Sequence, residues 1–165
     1  MTTTEFIRKG LEASAGMTLK LIDDMKDQPL TFPTPKGGNH PLWVLGHLAW
    51  TEGQLLQVMT GRANPLDHWK SLFGPGTEPS AAAARYPSFE AVRKAFEDQR
   101  AQTMNLLATL SDADLDRPSK ECPPDFTEFL GTYGQCFLLS IMHVPTHRGQ
   151  VADARRAAGR KPMGM

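Results

Sequence analysis

With only two cysteines, Cys122 and Cys136, the sequence cannot carry a disulfide framework, and in a reducing cytosol both are expected as free thiols. A dominant sign of charge is missing as well: 18 basic and 18 acidic residues cancel. That excludes a nucleic acid or an anionic membrane held by a long-range field. No apolar run approaches the ~18–20 residues needed to span a bilayer. The N-terminal MTTTEFIRKG lacks the apolar core of a signal peptide, so a cytoplasmic home is the expectation. Internal repeats, charge blocks and flexible linkers are absent, and 165 residues suit one domain over 1–165 that buries its core without staples. No stretch alternates with period two, which argues against strands. Nor is there a Ser–His–Asp set, a pair of catalytic acids or a phosphate-binding glycine loop.

What is present is helical periodicity. A first helix is expected from about Thr4 to Lys26, with Phe6, Ala13, Met17, Leu21 and Met25 on one apolar arc. The loop TFPTPKGGN leads into HPLWVLGHLAWTEGQLLQVMTG, where Asn39 is the expected N-cap, Pro41 fits the first turn and Gly61 the stop. Trp43, His47, Trp50, Thr51, Gln54 and Val58 share the inward face of this second helix. A long connection follows, with a short helix expected over Pro65 to Phe73; a loop of that size is a candidate roof over a site. Ser88 caps a third helix, in which Phe89, Val92, Phe96, Thr103, Leu106 and Leu110 oppose Arg93, Lys94, Glu97 and Arg100. The last helix runs from about Phe126 or Thr132 to Ala158, closed by Gly159 and Pro162. Four helices with one apolar stripe each predict an all-α, four-helix bundle with a long, partly helical loop between the second and third helices.

The chemistry concentrates in IMHVPTHRGQVADARRAAG, residues 141–159. Residues four apart on a helix stand one above the other with Cβ atoms ~5–6 Å apart, so His143 and His147 can aim two imidazole nitrogens at one ion. They belong to a stripe of Cys136, Ser140, His143, His147, Gln150 and Ala154, from which Arg148, Asp153 and Arg155 are expected to point away. His47, flanked by Trp43 and Trp50, is the candidate third ligand, since an interior histidine among tryptophans needs partners for its ring nitrogens. Gly46 beside it would let another backbone approach closely. Three neutral imidazoles leave an ion its full charge and an open position, the arrangement of a catalytic site. Pro145 removes one helical hydrogen bond at a cost of ~3 kcal/mol, and Gly149 adds ~1 kcal/mol. The pair marks either accommodation of a site or a packing kink.

HPLWVLGHLAW followed roughly 90 residues later by HVPTHRGQVADARRAAGRKP resembles the DinB/YfiT-like superfamily. The likeness covers essentially the whole chain, including NPLDHWKSLFGPG and YPSFEAVRKAF, and the distinctive HRGQ is intact. It departs at Val144–Pro145, where relatives more often carry helix-friendly residues. The resemblance implies a four-helix bundle whose divalent metal, zinc or nickel, is held at the positions of His47, His143 and His147. It further implies a homodimer and a thiol-dependent S-transferase or isomerase acting on a small molecule, with bacillithiol, mycothiol or glutathione as the thiol. A metal so held lowers the pKa of a bound thiol; a bound water activated likewise makes hydrolysis the nearest rival. The competing class is a non-catalytic, stress-related metal-binding bundle, and a cavity beside the ion roofed by residues 62–80 would favour the enzyme.

Other residues carry less. Gln54 and Gln150 are candidates to hold a ligand or substrate by hydrogen bonding, or polar caps at the bundle end. His40, ~10 Å along the helix from His47, belongs to the first turn rather than to the metal. His68 and Arg148 are expected at the surface, Cys136 in the packing, and Cys122 has no activating base beside it. Three imidazoles suit zinc, nickel, cobalt or iron alike.

Overall fold

The computed structural model describes residues 1–31 and 38–163; most of the TFPTPKGGN stretch, read above as a loop, therefore lies outside the described residues. Among those residues the chain is all-helical. Four long helices are α1 (Thr3–Asp23), α2 (Pro41–Thr60), α4 (Phe89–Ala108) and α6 (Tyr133–Ala157). Two single-turn helices, α3 (Lys70–Phe73) and α5 (Thr127–Leu130), sit in the connections. The α1 helix packs on α6, and α2 lies against both α4 and α6. None of the described helices is long and apolar enough to cross a membrane.

The caps explain the boundaries. Thr2 and Glu5 form a capping box on α1, and Asp112 adds its carboxylate to the N–H groups of Thr3 and Thr4 at 2.8 and 2.9 Å. Thr132 and Gln135 form the same box on α6, which decides for the later of the two expected starts. Ser88 caps α4 as expected. On α2 the cap is His40 rather than Asn39: its Nδ1 accepts from the Trp43 N–H at 3.0 Å. Pro41 occupies the first helical position, so the residue before it is the one that can cap. Gly61 closes α2 at φ 71°, the left-handed conformation that only glycine adopts freely.

Each of the four expected faces needs a correction. On α1 the period is right and the phase wrong: Ile7, Leu11, Ser14, Thr18 and Ile22 are buried, whereas Phe6 is 62% and Met17 41% exposed. Both arcs repeat at helical spacing. The buried one carries small hydroxyls that satisfy themselves on the preceding turn, Ser14 on the Leu11 carbonyl and Thr18 on that of Ser14. The α2 helix has no polar face over its first half, where every residue from Pro41 to Trp50 is buried. On α4, Arg100 lies inside rather than opposite the apolar stripe, and on α6 Arg155 is buried against Asp24 at 2.8 Å.

The apolar interior is divided. One cluster, at the α2 N-terminal half, gathers Trp43, Leu45, Leu48, Phe73, Val92, Phe96 and Val144. The other gathers Leu11, Val58, Met59, Leu107, Tyr133 and Phe137. On α2, α4 and α6 the buried polar residues Glu52, Arg100 and Ser140 fall between them. The Ser140 hydroxyl donates to Glu52 Oε2 at 2.9 Å, and Arg100 Nη2 stands 3.2 Å from the same oxygen.

Candidate metal centre

His47, His143 and His147 meet where α2 packs on the middle of α6. His143 Nε2 lies 3.2 Å from His47 Nε2 and 3.0 Å from His147 Nε2. Two nitrogens each ~2.0–2.1 Å from one ion are about 2.9 Å apart at a right angle and about 3.3 Å apart at the tetrahedral angle. The two spacings from His143 fall between these values, and the donor nitrogens of all three lie within 4.8 Å of one another, so the three could hold a metal ion. The α6 helix keeps its helical conformation through Pro145, and the departure at Val144–Pro145 does not part the two histidines. Gly149 has nothing within 4 Å of where a Cβ would stand, so it makes no room for the site.

Proton placement suits a cation. His47 Nδ1 faces the Phe73 carbonyl at 2.7 Å, and a carbonyl can only accept, so the proton sits on Nδ1 and Nε2 is bare. His147 Nδ1 faces Gln150 Oε1 at 2.9 Å, an oxygen whose orientation is set by the Asn39 amide donating to it at 3.1 Å. Its Nε2 is bare by the same reasoning. Burial pushes the His47 pKa down to about 4, opposed by the Phe73 carbonyl and assisted by His147. Burial, then His147 and His47, push that of His143 down to about 3. The His47 and His143 rings are therefore neutral near pH 7, the form that ligates metal.

The surroundings hold the rings in place. The Trp43 indole stacks on His47 with centroids 4.7 Å apart and planes 10° apart, and its Nε1 donates to Thr77 Oγ1 at 3.1 Å. Residues 62–80 thus do reach the centre, through Phe73 and Thr77. The expected close approach at Gly46 is made by a ring instead of a backbone: a Cβ there would stand 2.3 Å from Phe73. The clefts between other residues lie elsewhere. One of about 320 Å³ is lined by Gly53, Thr60, Arg62, Gln99 and Gln102, and one of about 280 Å³ by Met25, Pro29 and Ala154.

Of the remaining candidates, Gln150 contacts His147 and Gln54 does not join the group. The half-buried Gln54 is ~10 Å along α2 from His47. His40 is engaged at the cap, its Nε2 3.1 Å from the Ser80 carbonyl, and burial lowers its pKa. His68 is exposed beside Trp69. Arg148 points at Met17 Sδ, 3.1 Å away. Both cysteines are free; Cys136 is buried, which raises its pKa, and Cys122 is half-buried. Sequence reasoning missed Phe73, whose part is played by its carbonyl and leaves no side-chain signature. It also missed the Glu52–Arg100 pair, although Glu52 is the one charged residue in all of α2.

The family profile described as DinB superfamily matches residues 11–151, a span holding all three histidines. Among curated proteins, none matches the chain.

Proposed function

From the premise that the chain belongs to the DinB superfamily, we propose that it is a divalent-metal-dependent enzyme, a thiol-dependent S-transferase or a related hydrolase. His47, His143 and His147 hold the ion. The observation that carries this reading is the convergence of three histidine nitrogens from two helices within 4.8 Å of one another, His143 Nε2 standing 3.2 and 3.0 Å from those of His47 and His147. When bound, a dication on three neutral imidazoles supplies the charge that deprotonates a thiol or water near neutral pH. The chain's own residues prepare for it. The Phe73 carbonyl and Gln150 Oε1 keep protons on the far nitrogens of His47 and His147. Burial keeps His47 and His143 uncharged, and the Trp43 indole covers one face of His47.

Zinc or nickel suits the nitrogen donors, and a small molecule with a low-molecular-weight thiol is the proposed partner. The architecture we propose is a single DinB-like four-helix bundle over 1–165, acting in the cytoplasm. A homodimer is supported by the exposed apolar side chains Phe6 and Met17 on α1 and Leu138 and Met142 on α6. A second reading is a non-catalytic metal-binding protein, for which the same three histidines suffice. Elemental analysis of protein purified without a histidine tag, paired with a thiol-conjugation assay, separates the two. The enzyme reading expects one ion per chain and loss of both ion and conjugation in His143→Ala. Full activity in a metal-free variant would overturn it.

A further inference from the structure

Two glycines seven residues apart on α2 mark where the segment of residues 64–77 docks. At Gly53, a Cβ would stand 2.2 Å from Asn64 Oδ1. The Asn64 amide donates to the Trp50 carbonyl at 3.1 Å, and its Oδ1 accepts from the Leu66 N–H at 2.9 Å. At Gly46, a Cβ would stand 2.3–2.5 Å from three atoms of the Phe73 ring. That ring is fully buried and packed between Trp69 and Tyr86, each with its centroid 5.4 Å away. No flexible end could give way, so only glycine leaves the notch open. Immediately beyond, Thr77 receives the Trp43 indole N–H and donates to the Gly74 carbonyl at 2.9 Å.

The notch lies one residue before His47, and the backbone carbonyl of the residue that fills it is 2.7 Å from His47 Nδ1. We infer that Phe73 is a positioning residue for the metal centre: its ring, keyed into the Gly46 notch, aims its own carbonyl at His47 and thereby sets the tautomer and direction of that imidazole. This rests on the metal-site reading above. An acceptor behind a ligating histidine fixes which nitrogen is bare. Coupling of this kind runs both ways, so an ion at the three histidines also steadies the segment of residues 64–77.

Gly46→Ala tests the key without touching a ligand. In the metal-free protein, nitrogen-15 chemical shifts of the His47 ring report its tautomer. The wild type is expected almost wholly as the Nδ1–H form and Gly46→Ala as a mixture. Zinc affinity, measured by competition with a chromophoric chelator, is expected to fall about 10–100-fold. Adding Phe73→Leu to Gly46→Ala restores space over the notch and is expected to recover much of that loss. An unchanged tautomer and zinc affinity in Gly46→Ala would overturn the inference. If Gly46→Ala does not fold, Phe73→Ala reads the same contact from the other side, and the same unchanged pair of values overturns it there. Wild-type protein that takes up no zinc would instead overturn the metal-site reading, while the tautomer measurement would still judge the role of Phe73.

Discussion

Replacing Glu52 by Leu removes the one buried carboxylate among the described residues and leaves the Arg100 guanidinium buried without a counter-charge. Arg100 is 9% and Glu52 3% exposed, so solvent offers little relief. Stranding one member of such a pair costs about 3–5 kcal/mol, and the Ser140 hydroxyl loses its acceptor for about 1 kcal/mol more. For a chain of this length each kcal/mol lowers Tm by about 2–4 °C, which places Glu52→Leu roughly 8–24 °C below wild type. Arg100→Met is expected to cost a similar amount by stranding the carboxylate. The double variant is the informative one. Among the described residues, Arg100 Nε, Nη1 and Nη2 and Glu52 Oε1 have no hydrogen-bond partner. The ion pair at 3.2 Å is therefore charge proximity without donor alignment. Two apolar side chains of similar bulk should then be near neutral or stabilising by about 1–4 kcal/mol. Urea unfolding followed by circular dichroism on wild type, both singles and the double closes the cycle. A Glu52→Leu cost below about 1 kcal/mol, or a double variant whose cost equals the sum of the singles, would refute the reasoning.

Three further outcomes follow from other contacts. The N–H groups of Thr3 and Thr4 hold the Asp112 carboxyl at about 2, below its ordinary 3.8. Its contribution to stability is therefore present above the ordinary value and lost as pH falls through about 2. Tm measured from pH 5 to pH 2 should fall less steeply in Asp112→Asn. Gln150→Ala removes the acceptor behind His147 and is expected to weaken zinc binding about tenfold, while Gln54→Ala leaves it unchanged in the same chelator competition. Gly149→Ala meets open space and should stabilise α6 by about 0.5–1 kcal/mol in urea unfolding, with zinc affinity unaltered.

The histidine cluster was legible because a helix places residues four apart on one line, and His143 and His147 needed only that rule. His47 followed from a polar ring among tryptophans. The ends of α4 and α6 were legible in Ser88, Thr132 and Gly159, whose roles are local. Phase was harder. The two arcs of α1 repeat equally well, and the choice was made by what α6 presents to it, including Ile141 against Gly10. Arg100 and Glu52 were assigned or passed over by type, because a charge is tolerated inside only with a partner on another helix, and no spacing along one helix announces that partner. Gln54 shared the face of His47 but not its height, a distinction that rotation about the helix axis cannot make. Gly46 announced a close neighbour without telling a ring from a backbone.

The imidazoles of His47 and His143 are 96 positions apart in the chain, and α1 finds most of its cover in α6. At ~5–20 residues per second of synthesis, about 5–20 s pass between the emergence of His47 and that of His143. During that interval a nascent chain offers His47 to the cell without either of the two imidazoles that join it at the centre. Any ion that the three imidazoles share must arrive after His143 and His147 have emerged, on the same step that hides the apolar stripe of α1.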